Sequence, residues 1–142
     1  YGIEATIIDC TEASPIILRP GVITPELIEG YTGIVCGSSN SDRRKVVPGM
    51  ATKHYAPKTK ILINQIPKAG DGLIADFGIV TPPGVIRIAA PKNLFDFAKD
   101  LYSSFQLADS LQVSSLSVYL PVVESGIAIA IRDRVLRAAN RN

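Results

Sequence analysis

"VIRIAAPKNLFDFAKDLYSSFQLADSLQVSSLSVYL", residues 85–120, changes its apolar period twice. "VIRIAA" at 85–90 is rich in β-branched side chains and follows the "TPPG" turn, so it reads as a strand. Asn93 then offers a side-chain oxygen to the unpaired N–H groups of a helix start, where Asn is favoured. From there to about Ala108, Leu94, Phe97, Ala98, Leu101, Phe105 and Ala108 recur at three and four residues, which places them on one helical face. "VSSLSVYL" at 113–120 returns to a strand pattern. Strand, helix and strand in this order are the unit from which parallel sheets are built.

Reading outward extends the alternation. "GIAIAIRDRVLRAANR" at 126–141 favours a helix, with Ile127, Ala130, Ile131, Arg134, Val135 and Ala138 in one sector. Its β-branched residues make the first turn its weakest. Arg132, Asp133, Arg134 and Arg137 read as a charged helix surface, and Asp133–Arg137 is an i,i+4 pair worth roughly 0.2–0.5 kcal/mol. Upstream, "ILINQI" at 61–66 reads as a buried strand. "KAGDGLIADFGIV" at 68–80 is broken by glycines, with a short extended stretch around Leu73–Phe77. The order after residue 60 is strand, ambiguous piece, strand, helix, strand, helix. That order predicts a small α/β domain with a mainly parallel sheet.

Before residue 60 the chain changes character. Residues 3–9 are β-prone, and Ile16, Ile17 and Leu18 form a second short strand stopped by Pro20 and Gly21. A hairpin through Thr11–Pro15 would pair the two. Thr24 is an N-cap for a short helix from Pro25, with Gly30 expected to end it. "TGIVCG" is a further extended piece. From Gly37 to Thr59 the sequence is small, polar and then basic, and such long runs are functional loops or linkers. Within it "VVPGMATKHYAPKTK", residues 46–60, holds the only histidine and no acid.

Composition narrows the function classes. The 142 residues are 46% hydrophobic and 20% charged, with a formal net charge of +2. This suits one ordinary core, or one domain plus an attached piece, and neither a disordered chain nor a strongly basic nucleic-acid binder. Cys10 and Cys36 make no disulfide framework, which points to a reducing, cytoplasmic setting. With one histidine there is no zinc spacing, and no metal site is expected. No apolar run reaches the roughly 18–20 residues that span a bilayer, so no membrane partner is expected. "KAGDG" and "TPPG" match neither a phosphate loop nor a dinucleotide fingerprint.

Two stretches carry a resemblance. "GIEATIID…ILRPGVIT" at 2–24 resembles the closing strands of the YrdC-like domain of threonylcarbamoyl-AMP synthases, and "PGMATKHYAP" at 48–57 resembles the linker of the family's long, two-domain members. "LADSL", "VYLP" and "GIAIAIRDRVLRAA" are similar to that family's small C-terminal Rossmann-like domain. The resemblance covers nearly the whole chain. It implies three parts: residues 1–36 as the end of an incomplete YrdC-like α/β domain, 37–59 as linker and active-site lid, and 60–142 as the small Rossmann-like domain. The chain is therefore expected to be a fragment, inactive alone, whose strands at 1–36 lack sheet partners and could pair between molecules.

The family's chemistry follows as an implication. Its enzymes combine threonine, bicarbonate and ATP, with Mg2+, into threonylcarbamoyl-AMP. A partner complex then transfers the threonylcarbamoyl group to tRNA. The resemblance makes Thr6, Arg19, His54 and Tyr55 substrate- or nucleotide-binding residues of the intact enzyme. A guanidinium such as Arg19 suits a phosphate or a carboxylate because two donors meet two oxygens. Ala5 stands where the family usually has serine and donates no hydrogen bond. Pro48, Gly49 and Pro57 would shape the linker. No catalytic residue is assigned, and none of these cofactors is expected to stay bound to the fragment. The partners implied are the absent N-terminal domain, the transferase complex and tRNA. The alternative is an accessory module that binds tRNA or protein without serving the chemistry.

Overall fold

The computed structural model describes residues 3, 5–38 and 57–140. The elements in chain order are β1 (Ile7–Asp9), β2 (Ile16–Arg19), α1 (Pro25–Thr32), β3 (Gly37–Ser38) and β4 (Ile61–Ile63). They continue as β5 (Gly72–Ile74), β6 (Ile86–Ala89), α2 (Leu94–Ser110), β7 (Leu116–Val118) and α3 (Ile127–Ala139).

Helix α2 begins where its cap predicts. The Asn93 side chain accepts the Asp96 N–H at 2.9 Å, and Asp96 sits in the first turn, where a negative charge meets the positive end of the helix. Phe97, Ala98, Leu101, Phe105 and Ala108 are buried, and Leu94 packs on the same core. In α3, all six residues of the expected sector are buried, Arg134 among them. The two helices contact each other and share one core with Ile61, Ile74, Ile88, Leu116 and Val118.

The strands run β4-β7-β5-β6, and every pair is parallel. The small α/β domain thus has the parallel sheet that its alternation predicts and the Rossmann-like form that the resemblance implies. The glycine that clouded residues 68–80 is required by packing. A Cβ on Gly72 would lie 2.9 Å from Ile88 Cγ1 and 3.0 Å from Leu116 Cδ1. The strand there is Gly72–Ile74, not a stretch to Phe77. Asp76 ends it by accepting the Gly78 N–H on its carboxylate and the Ile79 N–H on its carbonyl, both at 2.9 Å.

Among the described residues helices cover only one face. The connections β4–β5 and β5–β6 contain no helix, so loops cover the other face. Strand alternation turns Leu73, Arg87 and Ser117 toward them. The Ser117 hydroxyl donates to the Gln65 carbonyl. Arg87 donates to the carbonyls of Ala75, Asp76 and Ile79 at 2.7–2.8 Å and gathers the β5–β6 loop. Asp71 does the same for the β4–β5 loop, accepting the Lys68 N–H at 2.8 Å and the Ser115 hydroxyl at 2.7 Å. Burial raises its proton affinity, but these donors and the Lys68 charge hold the carboxyl below the usual aspartate range.

The first unit is a β1–β2 antiparallel hairpin with β3 added parallel to β2. Thr24 caps α1. The helix passes through Gly30 and ends at Gly33, whose φ of 70° is the left-handed cap conformation. Gly30 has open space around it, so it weakens the helix without stopping it. The strand expected over 3–9 is only Ile7–Asp9. Ile3 instead is 1% exposed and belongs to the core beneath α2 and α3, where Val22 also packs. The unit therefore rests on the small domain of its own chain. Helix α1 buries none of its residues, and Leu27, Tyr31, Ile34 and Val35 stay exposed.

Candidate functional site

Arg19 closes β2 opposite Ile7, half-buried, and the chain then turns through buried Pro20 and Gly21. This turn is stitched down on one side by backbone contact. A Cβ on Gly21 would come within 2.6 Å of the Ala5 carbonyl and 2.7 Å of the Thr6 nitrogen, so only glycine permits the approach. Beside it the Thr6 hydroxyl donates to the Ile23 carbonyl at 2.7 Å. Thr6, just before β1, and Arg19, at the end of β2, thus lie on the two segments joined by this crossing.

The other side of the turn is held by α3. Arg134 donates from Nη2 to the Pro20 carbonyl at 3.0 Å and from Nη1 to Asp133 Oδ2 at 2.5 Å. Arg137 donates from Nε to that same carboxylate oxygen at 2.9 Å, as its i,i+4 spacing predicts. The reading of Arg134 as surface charge is corrected: its side chain is 7% exposed. Burial pushes its pKa below the usual arginine range, Tyr102 and Asp133 oppose that, and Arg19 and Arg137 add to it by repulsion.

A second anchor fixes the downstream end of the expected linker. Pro57 is buried. Asp109, in the last turn of α2, accepts the Lys58 N–H at 3.0 Å, the Thr59 N–H at 2.8 Å and the Thr59 hydroxyl at 2.7 Å. Burial raises its proton affinity, while those donors and Lys58 bring the carboxyl below its ordinary range. Pro48, Gly49, His54 and Tyr55 lie outside the described residues.

A groove of about 440 Å³ opens between β6 and α2, lined in part by Lys92, Asp96, Asp100 and Ser103. Neither Thr6 nor Arg19 lines it. The sequence reading missed Arg134, Asp109 and Arg87 as organising residues. Arg134 had a signal, since its spacing put a cation inside an apolar sector. Asp109 falls in the "LADSL" stretch, but its partners are 50 and 51 residues away.

Fold and site together define a class: a parallel Rossmann-like domain whose last helix grips a β-hairpin unit through a buried arginine. The family model for the C-terminal domain of threonylcarbamoyl-AMP synthase matches residues 23–140, and the chain belongs to this family. It is 27% identical over 158 residues to threonylcarbamoyl-AMP synthase of Bacillus subtilis (strain 168), covering 97% of this chain and 45% of that protein. It is 37% identical over 73 residues to the Pyrococcus abyssi (strain GE5 / Orsay) enzyme, covering 47% of this chain and 21% of that one. The crystal structure of P. abyssi Sua5 complexed with L-threonine superposes with a TM-score of 0.74 at 24% identity, covering 97% of this chain and 46% of that one. A substituted form of P. abyssi Sua5 gives 0.75 at 24% identity, covering 98% and 45%. The chain thus spans about half the length of these relatives, or less.

Proposed function

We propose that this chain is the closing part of an L-threonylcarbamoyladenylate synthase, which joins threonine, bicarbonate and ATP and releases pyrophosphate. The observation that carries the reading is the family match over residues 23–140. In this reading residues 1–36 finish the catalytic domain, 37–59 form the lid and 60–142 the accessory domain. The exposed apolar face of α1 is the surface that the rest of the catalytic domain would cover.

Each residue's part follows from its chemistry. Arg19 meets phosphate oxygens of the nucleotide with a two-donor fork. The Thr6 hydroxyl spends its proton on Ile23 and keeps acceptor capacity toward the site. His54 and Tyr55 reach threonine or bicarbonate from the lid, which excludes water from an adenylate prone to hydrolysis. Pro48 and Gly49 direct that crossing, and buried Pro57 with the Asp109 anchor fixes where it ends. Among the described residues no group of three or more His, Cys, Asp or Glu forms a metal ligand set. In the intact enzyme Mg2+ would accompany the ATP phosphates, and no step is assigned to it. The product would pass to a transferase complex that modifies tRNA. Among the described residues no helix is long and apolar enough to cross a membrane.

Arg19→Ala in the whole protein is expected to raise the KM for ATP by about one to two orders of magnitude, as loss of a charge-assisted fork implies. Threonylcarbamoyl-AMP formation, followed by pyrophosphate release, measures it. The 142 residues alone are expected to make none. A whole protein that consumes no ATP with threonine and bicarbonate would sink the reading. Salt-sensitive tRNA binding by residues 60–142, without any effect of this part on synthesis, would favour the accessory-module alternative.

A further inference from the structure

We infer that Arg134 is a positioning residue for Arg19, so that the last helix of the small domain aims the guanidinium that meets the nucleotide. The inference rests on the reading of Arg19 given above. Its basis is the bond from Arg134 to the Pro20 carbonyl, made across 114 residues. Arg19 is then bounded on both sides. Its own backbone pairs with Ile7. The next residue has a ring-locked φ, a gripped carbonyl and, beyond it, a glycine pressed on Ala5 and Thr6.

Stability alone explains this arrangement poorly. A buried ion pair is often no better than apolar side chains of similar volume. Here one carboxylate oxygen serves two arginines, Arg134 and Arg137. An apolar residue at 134 would hold α3 on the core without burying a charge. What only arginine supplies is a fork that orients on Asp133 while its second arm reaches Pro20. The same geometry places a fixed positive charge one residue from Arg19.

The test is a double-mutant cycle in the whole protein, read as KM for ATP, KM for threonine, kcat and melting temperature. Arg134→Met is expected to raise the KM for ATP about tenfold, the size of one hydrogen bond from a charged donor, and to leave the KM for threonine unchanged. Arg134→Lys should recover part of that loss. In an Arg19→Ala background, Arg134→Met should add nothing. Asp71→Asn, which loosens the same sheet elsewhere, should lower the melting temperature without moving the KM for ATP. If Arg134→Met does not fold, Arg134→Lys and Asp133→Asn carry the comparison. A fall in melting temperature with an unchanged KM for ATP, or additive effects in the cycle, overturns the positioning role and leaves Arg19's reading intact. An unchanged KM for ATP in Arg19→Ala overturns both.

Discussion

Phe105→Ala is expected to lower the unfolding free energy by about 3–5 kcal/mol. Phe105 is 2% exposed and lies in the middle of the α2 face that covers the sheet. Tyr102 meets its ring edge-on at 6.3 Å and 74°. Removing the ring forfeits its transfer from water, this aromatic contact and the packing of neighbours that cannot fully collapse. Phe95 is the internal comparison. It stands on the same helix but is 62% exposed, so Phe95→Ala should stay within about 0.5 kcal/mol. Urea unfolding of the three proteins measures both. Equal effects of the two substitutions would show that α2 does not use this face to cover the core.

Asp109→Ala is expected to cost about 2–3 kcal/mol, because two backbone N–H groups and a hydroxyl lose a charged acceptor at once. The bond to Lys58 is exposed and those to Thr59 are only partly buried, which keeps the figure below a sum of isolated contributions. The substitution would also release the downstream end of the linker from α2. In the wild type the sign of the pH dependence follows from the direction of the shift. Folded Asp109 has a depressed pKa, so the unfolded chain binds the proton more readily. Its contribution is complete above the ordinary aspartate value of about 3.9 and is lost as pH falls through the lower folded value. Asp71 acts with the same sign. Acid should therefore destabilise the wild type more steeply than the Asp71→Asn, Asp109→Asn double variant. Parallel curves of melting temperature against pH would disprove the two clamps as acid-sensitive ties.

The candidate site was legible to unequal depth. Arg19 could be singled out only through the family resemblance of its stretch, while Pro20 and Gly21 were readable locally as the stop of a strand. Their companions could not. The Gly21 contact with Ala5 and Thr6 and the Arg134 bond to Pro20 join positions whose distance in sequence says nothing of their distance in space. Arg134 was read twice, once in the apolar sector and once in a charged surface run, and sequence spacing had no means of choosing. Packing decided it, since the side chain enters the junction between the hairpin unit and α3.

The sequence by itself determined what depends on neighbours within a few residues. It placed both large helices and their buried faces, the Asn93 and Thr24 caps, the hairpin, and the parallel bias of the sheet. Periodicity and capping act over one or two turns, so they survive without tertiary context. Only the tertiary structure decided the strand order β4-β7-β5-β6, the loop-covered face held by Arg87 and Ser117, and the burial of Ile3. It also decided that Gly72 lies in a strand and that α1 runs past Gly30. In each case the deciding quantity was space or a hydrogen-bond partner contributed by a distant segment, which no local pattern encodes.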